Sequence, residues 1–196
     1  MKLLLIATVM ASLLTFPGET QDVAAPPEAS GDGTSTLAHA SVSDDERILE
    51  LLHGLVGEWR VHNVREDGSV FRVRNTYELG PDGQSVIARG WLGDGTSLHP
   101  HAASQIWRAP AIDGTAGSIM FQSIDENGAI ARGPISLLDD HTLLWQWDMT
   151  RLTGAEDHYL VHMIFESADS YRFILFHRNE GGGKDELVNV VFRRQE

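Results

Sequence analysis

The side chains in this sequence best suited to chemistry are histidines. Gly93 is followed by five residues and then His99-Pro100-His101, and on an extended strand alternate residues share a face. Two imidazoles so placed can ligate one metal ion. His158 and His162 also share a strand face, but at a rise of roughly 3.3 Å per residue they stand about 13 Å apart. One ion cannot take both, so they read as solvated outer histidines. Asp139-Asp140 falls in turn punctuation and reads as hairpin chemistry rather than an acid pair. There is no Gly-x-Ser-x-Gly elbow and no glycine-rich phosphate loop ahead of a helix. The absence of cysteine removes thiol nucleophiles, disulfides, cysteine zinc sites and iron–sulfur clusters. No cofactor is implied. The balance points away from an enzyme, with His99 and His101 as the one opening toward a metal-dependent reaction.

Aromatic residues form the second group. Tyr77, Trp91, Trp107, Trp145, Trp147, Tyr159 and Phe173 are candidate walls for a pocket that takes a small apolar or aromatic molecule, because such pockets combine apolar area with a few polar anchors. The alternative is a packed interior in which the same rings interdigitate. Arg89, on a face with Ile87 and Trp91, and His177, on a face with Tyr171 and Phe173, are the candidate anchors. A buried Arg requires an anion, internal or from a ligand.

These residues need a scaffold, and the punctuation describes one. The composition, 42% hydrophobic and 22% charged, is that of an ordinary globular chain. A net charge of −13 argues against nucleic acid and anionic membranes as partners. Met1-Lys2 and the apolar run Leu3 to Leu14 resemble a signal peptide, assigned to residues 1–20, too short to span a bilayer comfortably. An Ala-, Pro-, Gly- and Ser-rich linker follows over 21–42, leaving one domain over 43–196 with no membrane span after signal cleavage. Ser43-Asp44-Asp45-Glu46 is a capping box, and Ile48, Leu49, Leu52 and Leu55 continue it at helical spacing, predicting a helix over 44–55. Beyond it the period changes to alternation broken by Asp-Gly, Asn-Gly and Gly-Gly turns. About ten strands are expected, near 57–65, 69–79, 83–92, 102–109, 116–124, 128–137, 141–150, 157–166, 169–178 and 185–194. Hairpin-length links make neighbours antiparallel, and closure disposes of the exposed edges. The fold class is therefore all-β, an up-and-down antiparallel barrel with one short N-terminal helix. The aromatic-rich faces, such as Leu143, Trp145, Trp147 and Met149, are assigned to its inside.

The first strand carries a resemblance. Leu55-Val56-Gly57-Glu58-Trp59 places Gly-x-Trp directly after a short helix and at the head of a meander. This resembles the opening signature of the lipocalin or calycin superfamily, most closely its secreted bacterial lipocalin-like domains. The resemblance implies that Trp59 packs at the closed base of the barrel under an Arg from the last strand, assigned to Arg193 of Arg193-Arg194. The chain departs from secretory lipocalins in strand number, in ending on a strand and in lacking cysteine. A second resemblance is local: Gly-x5-His-Pro-His matches the first half of the cupin metal motif. Gln105 and Ile106 stand where that motif places its Glu, and its second half is missing. His177 has a parallel in nitrobindin, a ten-stranded relative in fold that holds haem by a His, but Arg60 to Val64 replace the glycine-rich strand of that family.

Together these readings predict an exported protein, periplasmic or secreted, monomeric or homodimeric, that holds a partly apolar molecule in a barrel lumen without transforming it. Two alternatives stand beside it: a cupin-type metal-dependent enzyme using His99 and His101, and a packed barrel acting through its outer surface in the cell envelope.

Overall fold

The computed structural model describes residues 43–64, 70–94, 97–110, 117–179 and 181–196. The signal-peptide reading of 1–20 and the linker reading of 21–42 lie outside the described residues, as does the Glu66-Asp67-Gly68 turn. No described helix is long and apolar enough to cross a membrane.

Helix α1 spans Asp44–Gly54 and opens with the anticipated box: Ser43 Oγ accepts from the Glu46 amide at 3.3 Å, and Glu46 Oε2 accepts from the Ser43 amide at 3.2 Å. Its inner stripe, Ile48, Leu51 and Leu52, is buried. Ten strands follow: β1 (Gly57–Val64), β2 (Val70–Leu79), β3 (Val86–Asp94), β4 (His99–Arg108), β5 (Ile119–Asp125), β6 (Ile130–Asp139), β7 (Thr142–Thr150), β8 (Glu156–Ser167), β9 (Ser170–Arg178) and β10 (Lys184–Arg194). Each pairs antiparallel with its chain neighbours, and β1 pairs with β10 to close the barrel. The closing seam is short, registered through Trp59↔Arg194 and Arg60↔Arg193.

Strand boundaries differ from the sequence expectation by up to three residues, the fifth strand starting at Ile119 rather than 116, and two of the shifts have a visible cause. The third strand starts at Val86 rather than 83, because Asp82 Oδ1 accepts from the amides of Gln84 and Ser85 and holds both in the turn. The fourth starts at His99, where the chain already pairs with Leu92. Pro100 is tolerated there because the ladder shifts register: Trp91 faces Pro100 and Gly90 faces Ala102, leaving His101 as the extra residue of a bulge.

On β7 and β8 alternation assigns the faces as expected. Leu143, Trp145, Trp147 and Met149 are buried on β7, as are Tyr159, Val161 and Met163 on β8. The helix stops the end of the barrel at which β1 begins, where Leu52 and Leu55 join Trp59, Val86, Ile119 and Leu143 in one apolar cluster. Arg47 pins the helix by donating to the Asp140 carbonyl between β6 and β7. At this floor Gly57 takes φ 131°, a left-handed conformation that disfavours side chains, and a Cβ there would lie 2.9 Å from Arg194 Nη1. The glycine of the Gly-x-Trp string is thus the space the guanidinium occupies.

Candidate functional site

The barrel has a floor and a lumen, and its tryptophans divide between them. On the floor, Trp59 is 1% exposed and its Nε1 donates to the Leu55 carbonyl at 2.6 Å. The guanidinium lies 4.5 Å from the ring centroid, and it belongs to Arg194. This corrects the assignment to Arg193: partners directly opposite on adjacent strands share a face, so Arg194 meets Trp59, while Arg193 opposes Arg60 and is exposed. Arg194 also donates to the Val56 carbonyl at 2.6 Å and to the Gly54 and Ala168 carbonyls, tying the helix exit to the last strand. Tyr171 packs on Trp59 with centroids 4.9 Å apart and stacks on Phe192 at 4.7 Å.

Above this floor lies a cavity of about 140 Å³. Its wall is largely apolar, built by Phe71, Phe121, Trp145, Trp147, Met163 and Phe173 among others. Small residues at Ala88, Gly90, Ala102 and Ala131 leave the space open. Phe121 is the hinge of the aromatic wall, touching Trp145 at 5.4 Å and Trp147 at 5.5 Å. Trp147 in turn reaches Phe173 at 6.2 Å.

Polar groups enter the wall at several places, among them Ser104, whose Oγ donates to Ser123 Oγ at 2.9 Å. Asn75 Nδ2 donates to the hydroxyls of Tyr77 and Tyr171 at 3.5 and 3.4 Å, and the two hydroxyls bond each other at 3.1 Å. Burial pushes both phenols above their ordinary pKa. At the bulge, His101 is 6% exposed, its Nδ1 bonded to Glu126 Oε1 at 3.3 Å, while its Nε2 is buried with no partner among the described residues. On β5, Asp125 Oδ1 accepts from the Asn127 and Ala129 amides at 2.9 Å, whereas its Oδ2 is buried with no partner among the described residues. The indole Nε1 atoms of Trp145 and Trp147 are likewise buried without an acceptor among the described residues.

Among the predicted wall residues, Tyr77, Trp145, Trp147 and Phe173 line this cavity. Tyr159 is buried beside it and packs against His177 with centroids 5.3 Å apart. His177 stands at the rim, bonded to Asn179 Oδ1 at 3.2 Å and 3.9 Å from Asp157, and does not reach the cavity. Three assignments are corrected. Arg89 and Trp91 border the cavity, yet their register places both side chains on the outer face: Ala88, Gly90 and Leu92 oppose the inward Tyr77, Asn75 and Val73. Arg89 accordingly pairs with Glu78 at 3.1 Å in solvent, and Trp91 carries the Arg74 guanidinium 4.7 Å from its centroid. Trp107 lies on the outer face with Gln105, Gln122 and Ile124 because the inward position beside it is Ile106.

The metal candidates separate too. His99 is exposed at the strand start while His101 is buried in the wall. Among the described residues no three His, Asp or Glu side chains gather to hold an ion. Asp125 was missed as a wall residue because Asp125-Glu126-Asn127-Gly128 reads as a turn. It is one, but the turn occupies a single carboxylate oxygen.

Neither family models nor curated sequences match the chain. Among solved structures it is similar to a redesigned β-barrel, b11L5F_LGL, at 15% identity over 74% of this chain and 96% of that one, with a TM-score of 0.31. It is also similar to EF1p2_mFAP2b bound to DFHBI, at 12% identity over 73% and 95% of the two chains, with a TM-score of 0.33. A third is the redesigned barrel mFAP1 bound to DFHBI, at 12% identity over 74% and 98%, with a TM-score of 0.30. The strand pairing itself defines the architecture: a closed ten-stranded antiparallel barrel with one helix on its N-terminal side.

Proposed function

We propose that this protein is an exported, non-enzymatic carrier or sensor of a small, largely apolar molecule held in the barrel lumen. One observation carries the reading: a closed barrel with every strand edge paired retains an apolar cavity of about 140 Å³ instead of filling it. An empty apolar space lowers stability in proportion to its volume, so a cavity of this size favours a function that uses it. The scale is informative, because an engineered cavity of ~150 Å³ lined by Leu, Ile and Phe takes up benzene. The lumen therefore suits one aromatic ring with small substituents. Export rests on the Met1-Lys2 start and the apolar run after it.

Native mass spectrometry of gently extracted protein tests the binding. The expected result is a co-purifying small molecule that is lost in Ala88→Leu, whose added carbons occupy the lumen. Retention of the molecule by that variant would place it elsewhere and defeat the reading. N-terminal sequencing of the mature protein, expected to begin beyond residue 17, tests export.

A second reading has support on the outer face, where Ile124 and Ile130 oppose each other across β5 and β6 at 50% and 40% exposure, with Trp107 nearby on β4. It is an envelope module acting through that surface. Loss of its partner in Ile124→Lys, with the lumen occupant unchanged, would favour it.

A further inference from the structure

One polar side chain reaches into the lumen itself. Asn75 sits on the inner face of β2 between Val73 and Tyr77 and lines the cavity. Its nitrogen is committed, since Nδ2 donates to the Tyr77 and Tyr171 hydroxyls at 3.5 and 3.4 Å. Its Oδ1 accepts no hydrogen bond from the described residues. An amide oxygen carries two lone pairs and can only accept.

The glycine opposite shows where that oxygen points. Gly90 is the cross-strand partner of Asn75 on β3. A Cβ on Gly90 would lie 3.2 Å from Asn75 Oδ1, with the Ala102 carbonyl at 3.9 Å as its next neighbour and nothing else within 4 Å. The oxygen therefore overhangs the space that a side chain at position 90 would fill, and Ala88, Gly90 and Ala102 make that space part of the lumen. Asn75 is only partly buried, and its oxygen is not among the unpartnered atoms sealed inside the wall, as the Trp145 and Trp147 nitrogens are. A glycine in mid-strand weakens the strand and often marks the close approach of a ligand. Five strands away around the ring, β7 turns Trp145 and Trp147 toward the same cavity. The lumen thus has an acceptor beside a recess of small residues on one side and aromatic area on the other.

From this juxtaposition we infer that the occupant is a single-ring aromatic molecule of the phenol class, bearing a hydroxyl or N–H that donates to Asn75 Oδ1 over Gly90 while its ring lies toward the β7 wall. The inference deepens the lumen-binding reading and rests on it. Volume sets the size of the molecule; the amide oxygen sets the chemistry of its edge.

The test is isothermal calorimetry of the intact protein with three probes of one size class: toluene, phenol as donor, and benzonitrile as acceptor only. Phenol should bind about fivefold more tightly than toluene, the scale of one net hydrogen bond, and benzonitrile about as tightly as toluene. Asn75→Leu should abolish the preference for phenol over toluene. Because that change also strips the two tyrosine hydroxyls of a donor, Gly90→Ala provides a milder check: Gly90 does not use the left-handed conformation, so its backbone accepts alanine, and the new methyl group covers Oδ1. It should reduce the phenol preference to less than about twofold. Phenol binding no more tightly than toluene to the unaltered protein overturns this inference and leaves lumen binding intact. So does a preference for benzonitrile, which would mean that the amide presents its nitrogen, and so does a phenol preference that survives in both variants. Failure of all three probes, toluene included, overturns the lumen-binding reading as well.

Discussion

Trp59 and Trp147 are both more than nine-tenths buried, and they are buried differently. Trp59 has its N–H on the Leu55 carbonyl and a guanidinium across its face. That guanidinium is itself fixed by backbone carbonyls from the helix exit and the β8–β9 turn. Trp147 has aromatic neighbours on its face and nothing on its nitrogen among the described residues. The floor is a satisfied network that joins the two ends of the folded chain, while the lumen wall is apolar packing with polar capacity left over. The satisfied polar network sits where β1 meets β10, and the unused polar capacity sits in the lumen wall.

Breaking the floor should have the largest effect. Trp59→Ala removes the ring that the helix, β1 and β10 share, and a loss of about 3–5 kcal/mol is expected from urea unfolding, the range for large buried aromatics. A loss below about 1 kcal/mol would remove the distinction between floor and wall. Alkaline pH probes the same contrast. Burial, with the Asp157 carboxylate adding to it, pushes Tyr159 up to about 12, and Tyr77 and Tyr171 are raised by burial as well. A phenol whose folded pKa lies above its unfolded value contributes its full stability below pH 10 and loses it as pH rises toward the folded value. Stability should therefore fall above pH 10 by about 1.4 kcal/mol per pH unit for each such tyrosine. Tyr159→Phe should make that fall shallower. The Tyr159 hydroxyl has no hydrogen bond of ordinary geometry among the described residues, although the Arg151 guanidinium lies close enough to oppose the rise in its pKa, so the variant should lose little at neutral pH.

The two terminal arginines sharpen the comparison further. Arg194→Ala should cost about 1.5–3 kcal/mol, the scale of hydrogen bonds to a charged group, and Arg193→Ala less than about 0.5 kcal/mol, as for an exposed side chain. Equal effects in thermal unfolding would mean that the cap over Trp59 is not specific to one register position.

The sequence makes the barrel legible and the site only partly so, for a physical reason. Strand order, helix and face assignment follow from alternation and turn residues, which act over a few positions. Trp145, Trp147, Tyr77 and Phe173 were found because they share faces with buried neighbours. Arg89, Trp91 and Trp107 were misplaced because their strands carry apolar residues on both faces, so alternation alone leaves the inward set undecided until Phe71 and Tyr77 fix the register across β2 and β3. His101 drew notice through the His-Pro-His spacing, which reads as a possible metal pair, whereas the bulge that separates its two histidines is set by pairing with β3. Asp125 was hidden because a turn-forming Asp and a wall-forming Asp look alike in one dimension.

The smallest expected effect separates wall from floor most cleanly. Trp147→Phe removes some aromatic area and also the burden of a buried donor without an acceptor. A lost ring contact is worth about 0.5–1.5 kcal/mol, and an unsatisfied buried group about 1–3 kcal/mol in the opposite sense. The two nearly cancel, so the melting temperature of the ligand-free protein should move little, by an amount corresponding to less than about 1 kcal/mol. Trp59→Phe should have no such compensation, because its N–H has an acceptor and the Leu55 carbonyl would lose its donor inside the core. The same conservative replacement is thus expected to be near neutral in the wall and clearly destabilising at the floor. If both variants melt equally early, Trp147 already has an acceptor and the wall is as satisfied as the floor.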